Sequence, residues 1–215
     1  MLTTKLITFL VALLFIVGLG ECSETEVWNR DTIKKRMDDQ WSASVDTEFR
    51  WKEIGRRVFF RYVQFNLRYE ICPSWVIGPS YRLSETKETN AEKSKWKTSR
   101  EPIFDLIKSF KCFCLEISDR NRFQYRSSDK QWCYRHRLCV AYPCTFKSIK
   151  YTPFLSEEAF FQKGRRYTQN RWEVGMRFPL SEAFGTLFSY LQKHNKNEGS
   201  WGLTHVCKID FNFQF

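Results

Sequence analysis

Histidine is scarce. His136, His194 and His205 are the only three in a chain of 215 residues. General acid–base catalysis leans on histidine more than on any other side chain. His205 falls on an apolar strand face and His194 at the end of an expected helix, and no recognisable catalytic motif surrounds either. A secreted hydrolase such as a ribonuclease is therefore the alternative reading, not the first. No Asn-x-Ser/Thr sequon occurs, so N-glycosylation is not expected. No glycine signature of a βαβ nucleotide fold is present, and no cofactor is expected. After residue 17 no run is long and apolar enough for a helical crossing, which takes about 20 apolar residues. No membrane span is expected on that ground.

What is there begins with an export signal. Lys5 gives a positive n-region, Leu6 to Val17 form an apolar run broken only by Thr8, and Gly18-Leu19-Gly20 supplies small residues. This is the layout of a cleavable secretory signal. Residues 1–20 are read as that signal and 21–215 as a single secreted domain. Cleavage after Gly20 leaves an even set of cysteines and cleavage after Cys22 an odd one. The eight are Cys22, Cys72, Cys112, Cys114, Cys133, Cys139, Cys144 and Cys207. Export to an oxidising compartment points to disulfides, and the spacing does not match the paired knuckles of structural zinc, so no metal is expected. Eight cysteines allow about 105 pairings.

Alternation gives the strands. Val63, Phe65, Leu67, Tyr69 and Ile71 share one parity. So do Trp132, Tyr134, His136, Leu138, Val140 and Tyr142, then Trp172, Val174, Met176 and Phe178, and finally Leu203 to Phe215. Period two of this kind reads as strand with one face in a core. Spacings of three and four suggest helices at 31–44 (Ile33, Met37, Trp41), at 102–110 (Ile103, Leu106, Ile107, Phe110), at 156–161 and at 181–191 (Phe184, Leu187, Phe188, Leu191). Residues 84–100 are polar and read as an exposed loop. The expected fold is α+β: antiparallel sheet with a few amphipathic helices, stapled by disulfides. The order helix-then-long-strand occurs at 31–71 and again at 181–215, which allows two similar halves.

The formal net charge of +11 favours anionic partners. Export makes intracellular nucleic acid an unsuitable one. Arg120, Arg122, Arg126, Arg135 and Arg137 gather on neighbouring strands among Phe123, Tyr125, Trp132 and Tyr134. They form the candidate binding surface, since cations between aromatics suit acidic glycans or lipid head groups. The expected function is a secreted, extracellular, non-enzymatic binding or effector protein. Its partner would be an anionic glycan, a lipid surface or an extracellular protein. Gly55-Arg-Arg and Gly164-Arg-Arg raise a third reading, a processed precursor.

Overall fold

The structure, a computed structural model, describes residues 25–52, 57–90, 93–164, 166–197 and 200–215. The expected signal peptide, Cys22 and, of the two Gly-Arg-Arg sites, Gly55, Arg56 and Arg165 lie outside them. The strands are β1 (Thr25–Arg36), β2 (Trp41–Lys52), β3 (Arg57–Cys72), β4 (Trp75–Asn90), β5 (Lys93–Cys112) and β6 (Leu115–Arg126). They continue with β7 (Gln131–Ala141), β8 (Cys144–Phe146), β9 (Ile149–Gln162), β10 (Arg166–Pro179), β11 (Phe184–Asn197) and β12 (Ser200–Gln214). Each strand pairs antiparallel with its neighbour in the chain, except that β8 is a short flap on the start of β9, so β9 pairs with β7. An odd number of alternating strands leaves the first and last running the same way. The sheet accordingly closes through a parallel pair, β1 with β12, to give an eleven-stranded barrel. Closure leaves none of the eleven barrel strands at a sheet edge.

The expected α+β fold is thus corrected to all-β, and the expected helices are strands. The reason lies in the periodicities. Positions four apart share a face in a strand as well as in a helix. Ile33 and Trp41 are outward residues of β1 and β2, and Met37 lies in the turn between them. At 103–110 and 184–191 two such pairs interleave. Ile103 and Leu187 are buried inside, whereas Phe110 and Phe188 are exposed outside. Two apolar faces of a strand were superposed into one apparent helical stripe. The polar stretch 84–100 forms the outer arms of the β4–β5 hairpin, with Ser84 paired to Ser99.

The expected disulfides are corrected too. The seven described cysteines form no disulfide with one another. Cys114 lies in the turn between β5 and β6, and each of the other six faces a non-cysteine across the ladder: Cys72 meets Trp75, Cys112 meets Leu115, and Cys133 lies between Gln124 and Gln162. Cys139 lies between Ser118 and Ser156, Cys144 meets Tyr151 and Cys207 meets Tyr190. A disulfide needs Cα atoms within about 7 Å and Cβ vectors that converge.

Candidate functional site: a charged lumen with an open mouth

Burial is inverted relative to a water-soluble protein. On β3, Tyr62, Gln64 and Asn66 are buried, while Phe65 between them is 51% exposed. On β7, Cys133 and Arg135 are buried and Trp132 is 56% exposed. The apolar stripes recognised by alternation therefore point outward, and the polar stripes line the lumen. An apolar furrow of about 590 Å³ crosses the outer face of β1 to β4 between Val45, Phe65, Leu67, Pro79 and Tyr81.

Outward aromatics gather near both rims. At the end where β1 begins, ring contacts run from Tyr125 to Trp132, from Tyr134 to Phe161, on to Tyr167 and then to Trp201. At the end that carries the C-terminus, Trp41 meets Tyr69, Phe178 meets Phe188 and Phe184 meets Phe213.

The lumen is filled by hydrogen-bonded ions. Asp105 accepts from Arg122 at 2.7 and 2.8 Å and from Arg68 at 2.8 Å. Burial alone would raise its pKa; Arg122 and the other arginines outweigh that and hold it far below the usual carboxylate range. Glu158 is shared by Arg120 at 2.7 Å, Arg135 at 2.8 Å and Arg171 at 3.6 Å. These cations drive it well below its ordinary value despite burial. Burial and crowding by neighbouring cations bring Arg120 and Arg171 down to about 9. Glu173 is held by Arg137 at 2.9 Å and Lys208 at 3.2 Å, while Asp210 pairs with Arg30 and with Lys208. Towards the other end, Lys193 meets Glu26 at 2.7 Å, Arg50 meets Glu48 at 2.6 Å, and Ser84 and Gln124 both donate to Glu101. Trp28 lies under Arg50, whose guanidinium is 3.7 Å from the ring centroid. Glu26, Gln64, Asp105, Gln124, Val206 and Asp210 each have under 2% of their surface exposed, so the middle of the lumen is solid.

Glycine makes room for this packing. A Cβ on Gly175 would lie 2.5 Å from Ser189 Cβ and 2.8 Å from the ring of Phe154. The ring occupies the space that any other residue would need.

The end with the C-terminus leaves a large space. A cavity of about 1090 Å³ opens there between the turn at Pro73-Ser74 and the strand ends at Pro179 and Gly185. Its cationic groups are Arg30, Lys111, Arg120, Arg137, Arg177 and Lys208; Glu116 is its one lining carboxylate and sits 3.6 Å from Lys111. Part of the wall is apolar, from Cys139, Ala141 and Leu187, which pack with Phe154.

The five arginines picked out from the sequence do share one strand pair. Arg120 faces Arg137 and Arg122 faces Arg135 in the β6–β7 register, with Arg126 at the far end opposite Gln131. Their parity, however, is the lumen parity. Arg122 and Arg135 are buried against Asp105 and Glu158, and only Arg120 and Arg137 reach the cavity. Sequence reasoning missed Arg30, Arg177 and Lys208, which come from β1, β10 and β12. Arg177 and Lys208 alternate with apolar neighbours, which was the available signal; Arg30, between Asn29 and Asp31, carried none. His136 lies on the outer face, 3.0 Å from Asp119. Tyr190 and Nδ1 of His205 share a hydrogen bond. Among the described residues no group of three or more His, Cys, Asp or Glu could hold a metal ion, and no helix is long and apolar enough to cross a membrane.

Fold and site together define a closed, up-and-down β-barrel with an ion-filled interior and an apolar exterior. The chain belongs to the family described as "Protein of unknown function (DUF2490)", which matches residues 25–204. No curated protein matches the sequence.

Proposed function

We propose that this protein is a membrane-embedded β-barrel, plugged in its middle and open to water at one end, that acts by binding and not by conducting. The observation that carries the reading is the inversion of burial: Phe65, Phe104, Trp132 and Leu155 are among the large apolar side chains exposed outside, while salt-bridged arginines and carboxylates are buried inside. In water that arrangement exposes the apolar surface and buries the charges, both at a cost. In a bilayer it does the reverse. Backbone polar groups in lipid must all be satisfied, and a closed barrel achieves that. The barrel strands, of 11 to 20 residues, reach or exceed the 9 to 11 or so that a tilted crossing takes. The two aromatic rims suit the two membrane–water interfaces. Export directed by residues 1–20 belongs to the same proposal, with a membrane in place of the extracellular fluid as destination. That change is argued from the outer face, whose apolar belt a freely soluble effector would have to cover.

Phe65 gives the test. It lies mid-strand on the outer face between Val45 and Tyr81. In vesicle-reconstituted protein, Phe65→Arg is expected to lower unfolding stability by about 2–4 kcal/mol, the cost of arginine near a bilayer midplane. On a water-facing surface the same change is neutral. A neutral result, together with wild-type protein that is monomeric in detergent-free buffer, would overturn the reading.

A further inference from the structure

We infer that the mouth cavity is a binding site for an oxyanion that carries an apolar group, a phosphate ester being the simplest class. The inference concerns the lumen and does not depend on the outer face being in lipid.

Charge is out of balance in and behind the cavity. Arg30, Arg120, Arg135, Arg137, Arg171 and Lys208 share three carboxylates, Glu158, Glu173 and Asp210. Asp105 is already taken by Arg68 and Arg122, while Glu48, paired with Arg50, and Asp46, bound by Asn66, act on Arg30 only at longer range. Within this ion-pair network, of which Arg30, Arg120, Arg137 and Lys208 line the cavity, cations thus outnumber carboxylates six to three. Buried ions of one sign in excess need a counter-charge.

Unused donors are also present. The buried Nε of Arg30 and the buried Nε of Arg120 have no hydrogen-bond partner. Arg177 has no carboxylate within salt-bridge distance among the described residues. It rests over the Phe154 ring at 4.6 Å and reaches the Cys139 sulfur at 3.5 Å. Guanidinium groups present forked donors that match a tetrahedral oxyanion.

The apolar wall sets the rest of the ligand. Cys139, Ala141, Phe154 and Leu187 form a buried cluster on the same side as Arg177. A bare inorganic anion would leave that wall wet. A ligand with a short alkyl or aryl group fills it and gains apolar burial. The volume of about 1090 Å³ is at the upper end of the range for small-molecule pockets.

The experiment is calorimetric titration of the full chain, folded in neutral detergent, with hexyl phosphate, inorganic phosphate and hexyltrimethylammonium. Hexyl phosphate is expected to bind and inorganic phosphate to bind more weakly. The cation is expected not to bind. Arg177→Gln removes a cation without orphaning a carboxylate, so the fold should survive. It is expected to weaken hexyl phosphate by about tenfold or more, as the loss of a charged hydrogen bond does. Leu187→Ala is the second variant, expected to weaken hexyl phosphate while leaving inorganic phosphate unchanged. Absence of hexyl phosphate binding, equal binding of the cation, or a folded Arg177→Gln with wild-type affinity would each overturn the site. Repeating the titration in phosphatidylglycerol and in phosphatidylcholine vesicles separates sources. Competition by the anionic lipid assigns a lipid head group, and its absence assigns a free ester; both support the site. Because the measurement runs on folded protein in micelles or in buffer, its failure is distinct from failure of the membrane reading.

Discussion

Glu158→Gln removes one negative charge from the point where three lumen arginines converge. Arg120, Arg135 and Arg171 approach its carboxylate at 2.7, 2.8 and 3.6 Å. With unit charges about 4 Å apart and an effective dielectric constant near 20, each attraction is worth about 4 kcal/mol before desolvation. Desolvation cancels much of that sum in the intact cluster. It does not cancel once the carboxylate is gone, because the arginines stay buried and repel one another. Breaking such a cluster is expected to cost about 3–5 kcal/mol. Glutamine keeps the shape and one acceptor, so the loss reports charge and not volume. The comparison is Glu85→Gln, whose partner Arg61 lies 2.6 Å away on the exposed exterior and whose loss is expected to cost under about 1 kcal/mol. Urea unfolding in neutral micelles, followed by tryptophan fluorescence, measures both. Adding Arg135→Gln to Glu158→Gln should recover part of the loss, since one orphaned cation is then removed. A Glu158→Gln effect as small as that of Glu85→Gln would refute the account of the lumen as a mutually dependent ion cluster.

Acid should destabilise the barrel through the same groups. Burial raises the Glu173 pKa, but Lys208 and Arg137 more than offset it and bring it from 4.5 to about 2. A depressed carboxylate stabilises the fold above its unfolded pKa and loses that contribution as pH falls through the window from about 4.5 to 2. The shift corresponds to something on the order of 3 kcal/mol. The urea midpoint should thus drop between pH 7 and pH 3, and Glu173→Gln should flatten part of the drop; a midpoint independent of pH would contradict it. Alkylation without reductant should label Cys72, Cys112 and Cys114 in the folded protein, and Cys133 and Cys139 only after unfolding, as their exposure dictates. Mass spectrometry that finds a bridge among these five would count against the fold.

The sequence by itself determined which residues share a face. Val63 to Ile71, Trp132 to Tyr142 and Leu203 to Phe215 keep strict parity, and the structure makes each a strand. Asp119-Arg-Asn121 and Ser127-Ser-Asp129 both have the composition of a turn, yet they fold differently. The second is a turn, while the first lies inside β6, where Asn121 accepts from Tyr134 and donates to Asp119. Alternation is symmetric, however. It tells that two faces differ and is silent about which one meets solvent. The sequence reading placed the apolar face in a core, as water requires, and so took Arg122 and Arg135 for an outer surface.

Only the tertiary structure decided that question. Closing eleven strands through the parallel β1–β12 pair puts all polar stripes around one lumen. There Asp105 and Glu158, distant in sequence, neutralise arginines from several strands at once. The period of four at Phe184–Phe188 and Leu187–Leu191 was equally uninformative, because it fits a helix turn and a strand repeat alike. Helix and strand differ there only in whether the two pairs share a side. In the barrel they do not: Leu187 and Leu191 pack inward and Phe188 points out. Local spacing carried the strands, and long-range pairing alone carried the inside and the outside.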